Sequence, residues 1–267
     1  LKAGGYGERF ILHYIVPMGS AIWSMPMADM LAFPLQSFVR FFKNHGLLSV
    51  SNRPQWQVIE GGSSAYIAPL TASFREKIRI NCPVTRVERD ADGVVIHSHA
   101  GSERFDKVVF ACHSDQALHL LAAPSEAEQS ILGALPYADN EVVLHTDTRL
   151  LPQRKLAWAS WNFRLGGPGH TPAAVTYDMN ILQGIQSDTT FCVSLNQSAA
   201  INPFKVLAKY TYAHPQYSLA AVAAQARRGE LDGQQHTWYC GAYWANGFHE
   251  DGVVSALQVA RAFGETL

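Results

Sequence analysis

Residues 84–112 constrain the fold most strongly. Val84-Thr85-Arg86-Val87-Glu88-Arg89 alternates apolar and polar side chains, the two-residue period of a half-buried strand. Asp92-Gly93 is a strong turn signal, and Val94 to His99 predicts the returning strand. Gly101-Ser102 predicts a second turn. Lys107-Val108-Val109-Phe110-Ala111-Cys112 then reads as a continuous apolar strand, the kind buried on both faces of an α/β sheet. A β-meander feeding a buried strand is the expected local architecture.

The flanking sequence predicts mixed helices and strands. Residues 1–55 read as helical and apolar, with Leu31, Leu35, Phe38 and Phe42 on one face of a helix within 29–42. Phe10 to Ala28 has no acidic or basic residue apart from His13. Pro17, Gly19, Ser20, Ser24 and Pro26 interrupt it, so a buried, broken segment or the wall of an apolar pocket is expected rather than a membrane span. Trp56 to Glu60 predicts a short strand. Ala65 to Phe74 predicts a helix capped by Ser63 or Ser64. Ser125 with Glu128 three residues on forms a capping box for a helix to about Gly133. Strands are expected at 141–145, 157–163, 173–178 and 190–195, with Gly166-Gly167-Pro168-Gly169 as a loop. Residues 215–228 predict a helix and Thr237 to Cys240 a last strand. Gly252 to Phe263 predicts an amphipathic helix with Val253, Ala256, Leu257 and Ala260 on one side.

Composition excludes some function classes. Of the 267 residues, 48% are hydrophobic and 16% charged, which rules out a long disordered chain. The formal net charge is −1, with no basic stripe, so no nucleic-acid partner is expected. Cys82, Cys112, Cys192 and Cys240 stand far apart without a Cys-x-x-Cys pair. Free thiols in a reducing cytoplasmic setting are the expectation, not a zinc or disulfide framework. Asn196-Gln197-Ser198 fits a glycosylation sequon, but nothing else points to secretion.

Several motifs are missing. There is no phosphate-binding Gly-x-x-x-x-Gly-Lys loop, no Gly-x-Ser-x-Gly elbow and no His-Glu-x-x-His. His97 and His99 share one face of a strand and read as a solvated surface; His249-Glu250-Asp251 reads as a polar loop opening a helix. No metal site is expected. Gly5-x-Gly7 is followed by Phe10 rather than a third glycine and by no preceding strand, so it is no dinucleotide fingerprint.

The C-terminal stretch from Trp238 to Gly252, Trp-Tyr-Cys-Gly-Ala-Tyr-Trp-Ala-Asn-Gly-Phe-His-Glu-Asp-Gly, precedes a helix. It resembles the flavin-binding segment of the FAD-dependent amine oxidase and phytoene desaturase superfamily. Glu60-Gly61-Gly62 looks like that family's glycine pair, Pro83 to Val87 like the strand that meets the adenine, and Asp106 to Cys112 like the returning strand. The resemblance implies an α/β fold: an incomplete FAD/NAD(P)-binding Rossmann-like domain with a β-meander, interleaved with a substrate domain of mixed sheet and helices. It implies FAD-domain parts at 56–120 and 237–267 and substrate-domain parts at 1–55 and 121–236. Cofactor contacts are then expected at Gly61, Gly62, Val84, Gly241, Ala242, Phe248, Gly252 and Val253, with no catalytic acid or base standing out.

Two departures qualify what is implied. The family's N-terminal Gly-x-Gly-x-x-Gly strand and loop has no match, so the 267 residues alone are expected to bind FAD weakly and to be inactive. An exposed strand edge at 107–112 would then favour a second copy, a homo-oligomer, or a retained N-terminal piece. The region Asp139 to His145 also lacks the lysine that amine oxidases often carry near the flavin. An FAD-dependent oxidoreductase for an apolar small molecule, an acyl chain or polyene, is therefore the expected function. A binding domain with a decayed flavin site and a lipid-binding module are the other classes.

Overall fold

The computed structural model describes residues 1–52, 54, 55, 57–165 and 174–266. Helices in chain order are α1 (Glu8–Phe10), α2 (Val16–Trp23), α3 (Met27–Met30), α4 (Leu35–Asn44), α5 (Ile67–Thr71), α6 (Ser114–Leu120), α7 (Glu126–Leu132), α8 (Met179–Gln183), α9 (Leu219–Ala226) and α10 (His249–Ala262). Strands are β1 (Val84–Asp90), β2 (Gly93–Ser98), β3 (Gly101–Phe105), β4 (Val108–Phe110), β5 (Tyr137–His145), β6 (Trp161–Phe163), β7 (Val175–Asp178), β8 (Cys192–Leu195), β9 (Val206–Pro215) and β10 (Thr237–Tyr239). The mixed α/β architecture matches the expected class. Among the described residues no helix is long and apolar enough to cross a membrane.

The chain forms two compact units. The first holds Leu1–Phe33, Phe42–Ala68 and Ala138–His214, and the second Pro34–Phe41, Pro69–Tyr137 and Pro215–Leu267. Residues 121–137 and 215–236 thus pack with 69–120 and 237–267, whereas 57–68 pack in the first unit. The reason lies in the second unit's core. Ile131, Leu132, Leu135, Ala221, Ala224 and Leu231 are buried against Val87, Val94, Phe110 and Tyr239.

In the first unit, residues 8–23 run as one helical stretch, α1 joining α2 through a π-helical turn at Ile11–Ile15. Pro17, Gly19 and Ser20 do not break it. Pro17 falls just after the wide turn, where the hydrogen-bond ladder changes register and its missing N–H costs less. The break comes at Ser24, whose left-handed φ of 51° ends α2. Gly19 serves packing: a Cβ there would lie 2.7 Å from the Met30 methyl. Trp23 packs on Phe33 with ring centroids 4.3 Å apart. The predicted helix across 29–42 is split at 31–34 before Leu35, and Leu31 and Leu35 are both 63% exposed. The buried face is Phe38, Phe41 and Phe42 instead.

Five strands form a sheet in the order β6-β7-β8-β5-β9. β9 is absent from the sequence-based expectation because its exposed Leu207, Lys209, Tyr210 and Tyr212 hide the two-residue period. β6 keeps only the last three residues of the expected strand. Loop 166–169 and the start of the expected strand at residue 173 lie outside the described residues. Across this sheet runs a buried polar chain. The Asp147 N–H donates to His145 Nδ1 at 3.0 Å, which leaves the ring proton on Nε2, 2.8 Å from Ser194 Oγ. Ser194 Oγ meets Thr176 Oγ1 at 2.7 Å, and Gln197 Nε2 donates to that same Thr176 oxygen at 3.3 Å. Burial lowers the His145 pKa from its ordinary 6.5, with Asp147 partly opposing. The folded form therefore holds a neutral ring. Stability is full above that ordinary value and falls as the pH drops through the window below it, because the unfolded chain takes up a proton that the folded ring resists. Thermal midpoints measured from about pH 7 to about pH 5 should fall, and His145→Asn should flatten that dependence.

In the second unit β1-β2-β3 is an antiparallel meander, as expected. The second turn is His99-Ala100, and Gly101-Ser102 already belong to β3. β4 is shorter than expected and, among the described residues, pairs in parallel with β10 alone. Val109 is 40% exposed, so this strand is not buried on both faces. The Ser125 capping box is present, with Glu128 N–H on Ser125 Oγ at 3.2 Å and Ser125 N–H on Glu128 Oε2 at 2.7 Å. The expected serine cap gives way to Gly62, which precedes a 3-10 turn at Ser63–Tyr66, and Gln57 to Glu60 form no strand. On α10 the buried side chains are Ser255 and Val259, while Val253 and Ala256 are exposed, so the predicted apolar face is not the packed one.

Candidate functional site

β4 and β10 run in parallel, so their carboxyl ends lie at the same edge of the two-stranded sheet. In open α/β sheets that edge is where ligands bind, because the following helices direct their N-termini there. After β4 comes Cys112-His113, and His113 opens α6. After β10 comes Cys240-Gly241, then a 3-10 turn at Ala242–Trp244, then the loop to α10.

This loop is held from within. Gln225 Nε2 donates to the Tyr243 carbonyl at 2.8 Å and to the Ala245 carbonyl at 2.7 Å. The Asp251 carboxylate accepts from the Asn246 N–H at 3.1 Å and the Phe248 N–H at 3.0 Å. The Gly241 N–H donates to Ser255 Oγ at 2.8 Å. Gly241 must be glycine because a Cβ would sit 2.4 Å from the Tyr243 ring. Gly247 has φ 92°, and a Cβ there would come within 2.6 Å of the Tyr217 hydroxyl. Gly252 differs: the nearest atom to its missing Cβ is the Ala242 N at 3.8 Å, so the chain's own atoms do not require glycine.

The surroundings are apolar and phenol-rich. His113 stacks on Tyr137 with centroids 4.3 Å apart. Burial pushes the Tyr137 hydroxyl up to about 12 and raises Tyr243 and Tyr217 further, so all three stay protonated. Burial also raises the Cys112 and Cys240 thiols, which makes them poor nucleophiles. The buried Tyr243 hydroxyl, Trp244 Nε1 and His113 Nδ1 have no hydrogen-bond partner among the described residues. Buried polar atoms in folded proteins are nearly always hydrogen-bonded. A ligand with several acceptors fits this edge. Glu250 and Asp251 in the first turn of α10 disfavour phosphate there and suit the uncharged part of a dinucleotide cofactor.

The expected site residues fall in three places. Gly241, Ala242, Phe248, Gly252 and Val253 share the β10–α10 connection, with Phe248 stacked on Phe41 at 5.0 Å and Val253 49% exposed. Val84 starts β1 in the separate meander sheet and lines an open groove of about 670 Å³ with Arg79, Ile96 and Phe105. Gly61 and Gly62 belong to the first unit, with φ of 79° and 86° and no crowding that would require glycine for space. Sequence reasoning missed His113, Gln225 and Arg228. Only Arg228 carried a local signal, the four-residue spacing to Asp232. Asn140, in the stretch without the lysine, is buried and accepts from Asn196 Nδ2 at 2.8 Å. That bond also occupies the side chain of the sequon. Among the described residues no group of His, Cys, Asp and Glu is placed to hold a metal ion.

Solved structures share this fold. A CLA-producing fatty acid isomerase from P. acnes superposes with a TM-score of 0.66 at 13% identity, over 96% of this chain and 63% of its own. Cyclohexylamine oxidase from Brevibacterium oxydans IH-35A superposes with a TM-score of 0.59 at 15% identity, over 97% of this chain and 66% of its own. The chain thus spans less than two thirds of the length of these neighbours. No curated protein sequence matches it significantly. The sequence profile of flavin-containing amine oxidoreductases matches residues 7–179, more than half of the chain. With its fold, its strand-end site and that match, the chain belongs to the flavin-containing amine oxidoreductase family, whose cofactor is FAD.

Proposed function

We propose that the protein is an FAD-dependent oxidoreductase whose substrate is an apolar small molecule, an acyl chain or polyene, rather than a charged amine. The observation that carries the substrate class is the first unit's composition: Phe10 to Ala28 bears no acidic or basic residue apart from His13 and supplies Ile11, Val16, Ile22, Trp23 and Met25 to a buried core. Asn140, where a lysine would favour amine chemistry, supports the same reading. So does a structural neighbour, the CLA-producing fatty acid isomerase from P. acnes, whose name gives a fatty acid as what it isomerises. The flavin, when bound, supplies electron acceptance. This chain's residues position it. Gly241, Ala242, Gly252 and Val253 bring backbone close to the cofactor, and Phe248 walls the ring. Val84, in the same unit, is assigned to a further part of the same dinucleotide.

A flavin titration followed by fluorescence, together with turnover on two substrate panels, tests this. Binding of one FAD and oxidation of fatty-acyl or isoprenoid compounds support it. Oxidation of small amines alone overturns the substrate class, and no FAD binding by the whole protein overturns the assignment. Phe248→Ala should shift the flavin absorbance or turnover. Because Phe248 is half-buried against Phe41, the stability cost should be only about 1.5 kcal/mol. An unchanged spectrum and unchanged kinetics would remove Phe248 from the site.

A further inference from the structure

The β10–α10 connection is gripped by two side chains of opposite hydrogen-bonding character, both within the second unit. Gln225, half-buried on α9, meets two carbonyls of the loop. Its Nε2 donates to the Tyr243 oxygen at 2.8 Å and to the Ala245 oxygen at 2.7 Å. A carboxamide nitrogen carries two protons, so both are committed. Asp251, in the first turn of α10, meets two amides instead. Its Oδ2 accepts from the Phe248 N–H at 3.0 Å and from the Asn246 N–H at 3.1 Å. The bond to Phe248 is the return half of a capping box, in which the third helical residue satisfies the N-cap amide. The bond to Asn246 reaches beyond the helix, and capping does not account for it.

The two side chains hold one peptide group at both ends. The Ala245 carbonyl and the Asn246 N–H belong to the same planar trans unit and point in opposite directions. Gln225 takes the carbonyl end and Asp251 the N–H end. Were that peptide to turn over, its carbonyl would face a carboxylate and its N–H would face an NH2 group. Two repulsive contacts would replace two attractive ones, so a single orientation is selected. The next residues follow from it. The Gly247 N–H donates to the Ala242 carbonyl at 3.2 Å, and Gly247 turns the chain at φ 92°. Phe248 comes next, its N–H on the same Asp251 oxygen and its ring on Phe41.

We propose that Gln225 and Asp251 are positioning residues for the flavin site: by holding the Ala245–Asn246 peptide in one orientation they place the Phe248 ring against the cofactor. The proposal rests on the FAD reading above and adds two residues that act through the loop.

The test has one arm without flavin and one with it. Gln225→Met keeps the length of the side chain and Gln225→Glu keeps its shape, but neither presents an NH2 group. In the flavin-free protein both should speed amide hydrogen exchange at Asn246 about tenfold. In the whole protein both should raise the FAD dissociation constant at least about tenfold and shift the flavin absorbance band. Asp251→Ala should match them, whereas Asp251→Asn, which keeps an acceptor oxygen, should stay within about threefold of the parent. If Asp251→Ala fails to fold by circular dichroism, Gln225→Glu decides, because it leaves the packed volume unchanged. Gln129→Met, which removes a carboxamide bond of 3.1 Å to the exposed Pro124 carbonyl side of α7, should alter neither reading. Parent-like FAD affinity and absorbance in Gln225→Met and Gln225→Glu overturn the proposal, whatever their melting temperatures. Absence of FAD binding by the parent overturns the function reading instead; unchanged exchange at Asn246 then overturns the clamp as well.

Discussion

Glu128→Ala is expected to lower the unfolding free energy by about 3–5 kcal/mol, the cost of leaving a buried charge without its partner. The Glu128 and Arg89 side chains are only 4% and 3% exposed. Arg89 grips the carboxylate with both terminal nitrogens, Nη2 at 2.9 Å from Oε2. The Tyr239 hydroxyl donates to Oε1 at 2.6 Å, and the Ser125 N–H donates to Oε2. Three residues, Arg89 on β1, Ser125 at the cap of α7 and Tyr239 on β10, thus converge on one side chain. Burial alone would push the Glu128 carboxyl up, but these donors outweigh it and hold it below its ordinary 4.5. The linkage sign follows: the contribution is complete above that ordinary value and is lost as the pH falls through the lowered one. Urea unfolding at neutral pH measures the effect. The comparison is Glu103→Ala, which removes a surface pair with Arg79 and should leave the midpoint nearly unchanged. Equal midpoints for the two variants would show that the buried cluster contributes no more than a surface pair.

Arg228→Ala should destabilise by about 3 kcal/mol or more, since several buried acceptors lose their donor at once. The guanidinium donates from Nε to Asp232 at 2.9 Å and from Nη2 to the Tyr239 carbonyl at 2.7 Å and the Ser255 carbonyl at 3.0 Å. Nη1 donates to Gln258, and the cation lies 5.4 Å from the Trp244 ring centre. This one residue ties β10 and the site loop to α10. Arg228→Lys should recover little, because an ammonium on a flexible stem lacks the planar fork that reaches all four acceptors. Hydrogen exchange should show α10 and residues 241–247 opening first in the variant. Full protection of α10 in Arg228→Ala would contradict the assigned role.

What was legible locally follows from interactions between close neighbours in sequence. The Ser125–Glu128 box and the first hairpin turn, which falls at Ala91-Asp92 with Gly93 already in β2, need only three or four residues to act, so their signals survive in a short window. β9 and the exposed Leu31 and Leu35 were misread for the opposite reason: apolar identity says that a side chain can be buried, not which partner arrives to bury it. The same holds on α10, where Ser255 is packed because its hydroxyl meets the Gly241 N–H, while Val253 faces solvent.

The sequence by itself determined the family, the strand-turn-helix grammar around Gly241 and the uncharged character of Phe10 to Ala28. These depend on residue type and spacing along the chain. Only the tertiary structure decided that Glu128 serves both its own helix cap and Arg89, 39 residues away, and that Arg228 closes the C-terminal helix onto β10. It alone also brought Gln225 to the Tyr243 and Ala245 carbonyls. Such contacts join residues distant in sequence, and their energies depend on burial and geometry that exist only once the chain has folded.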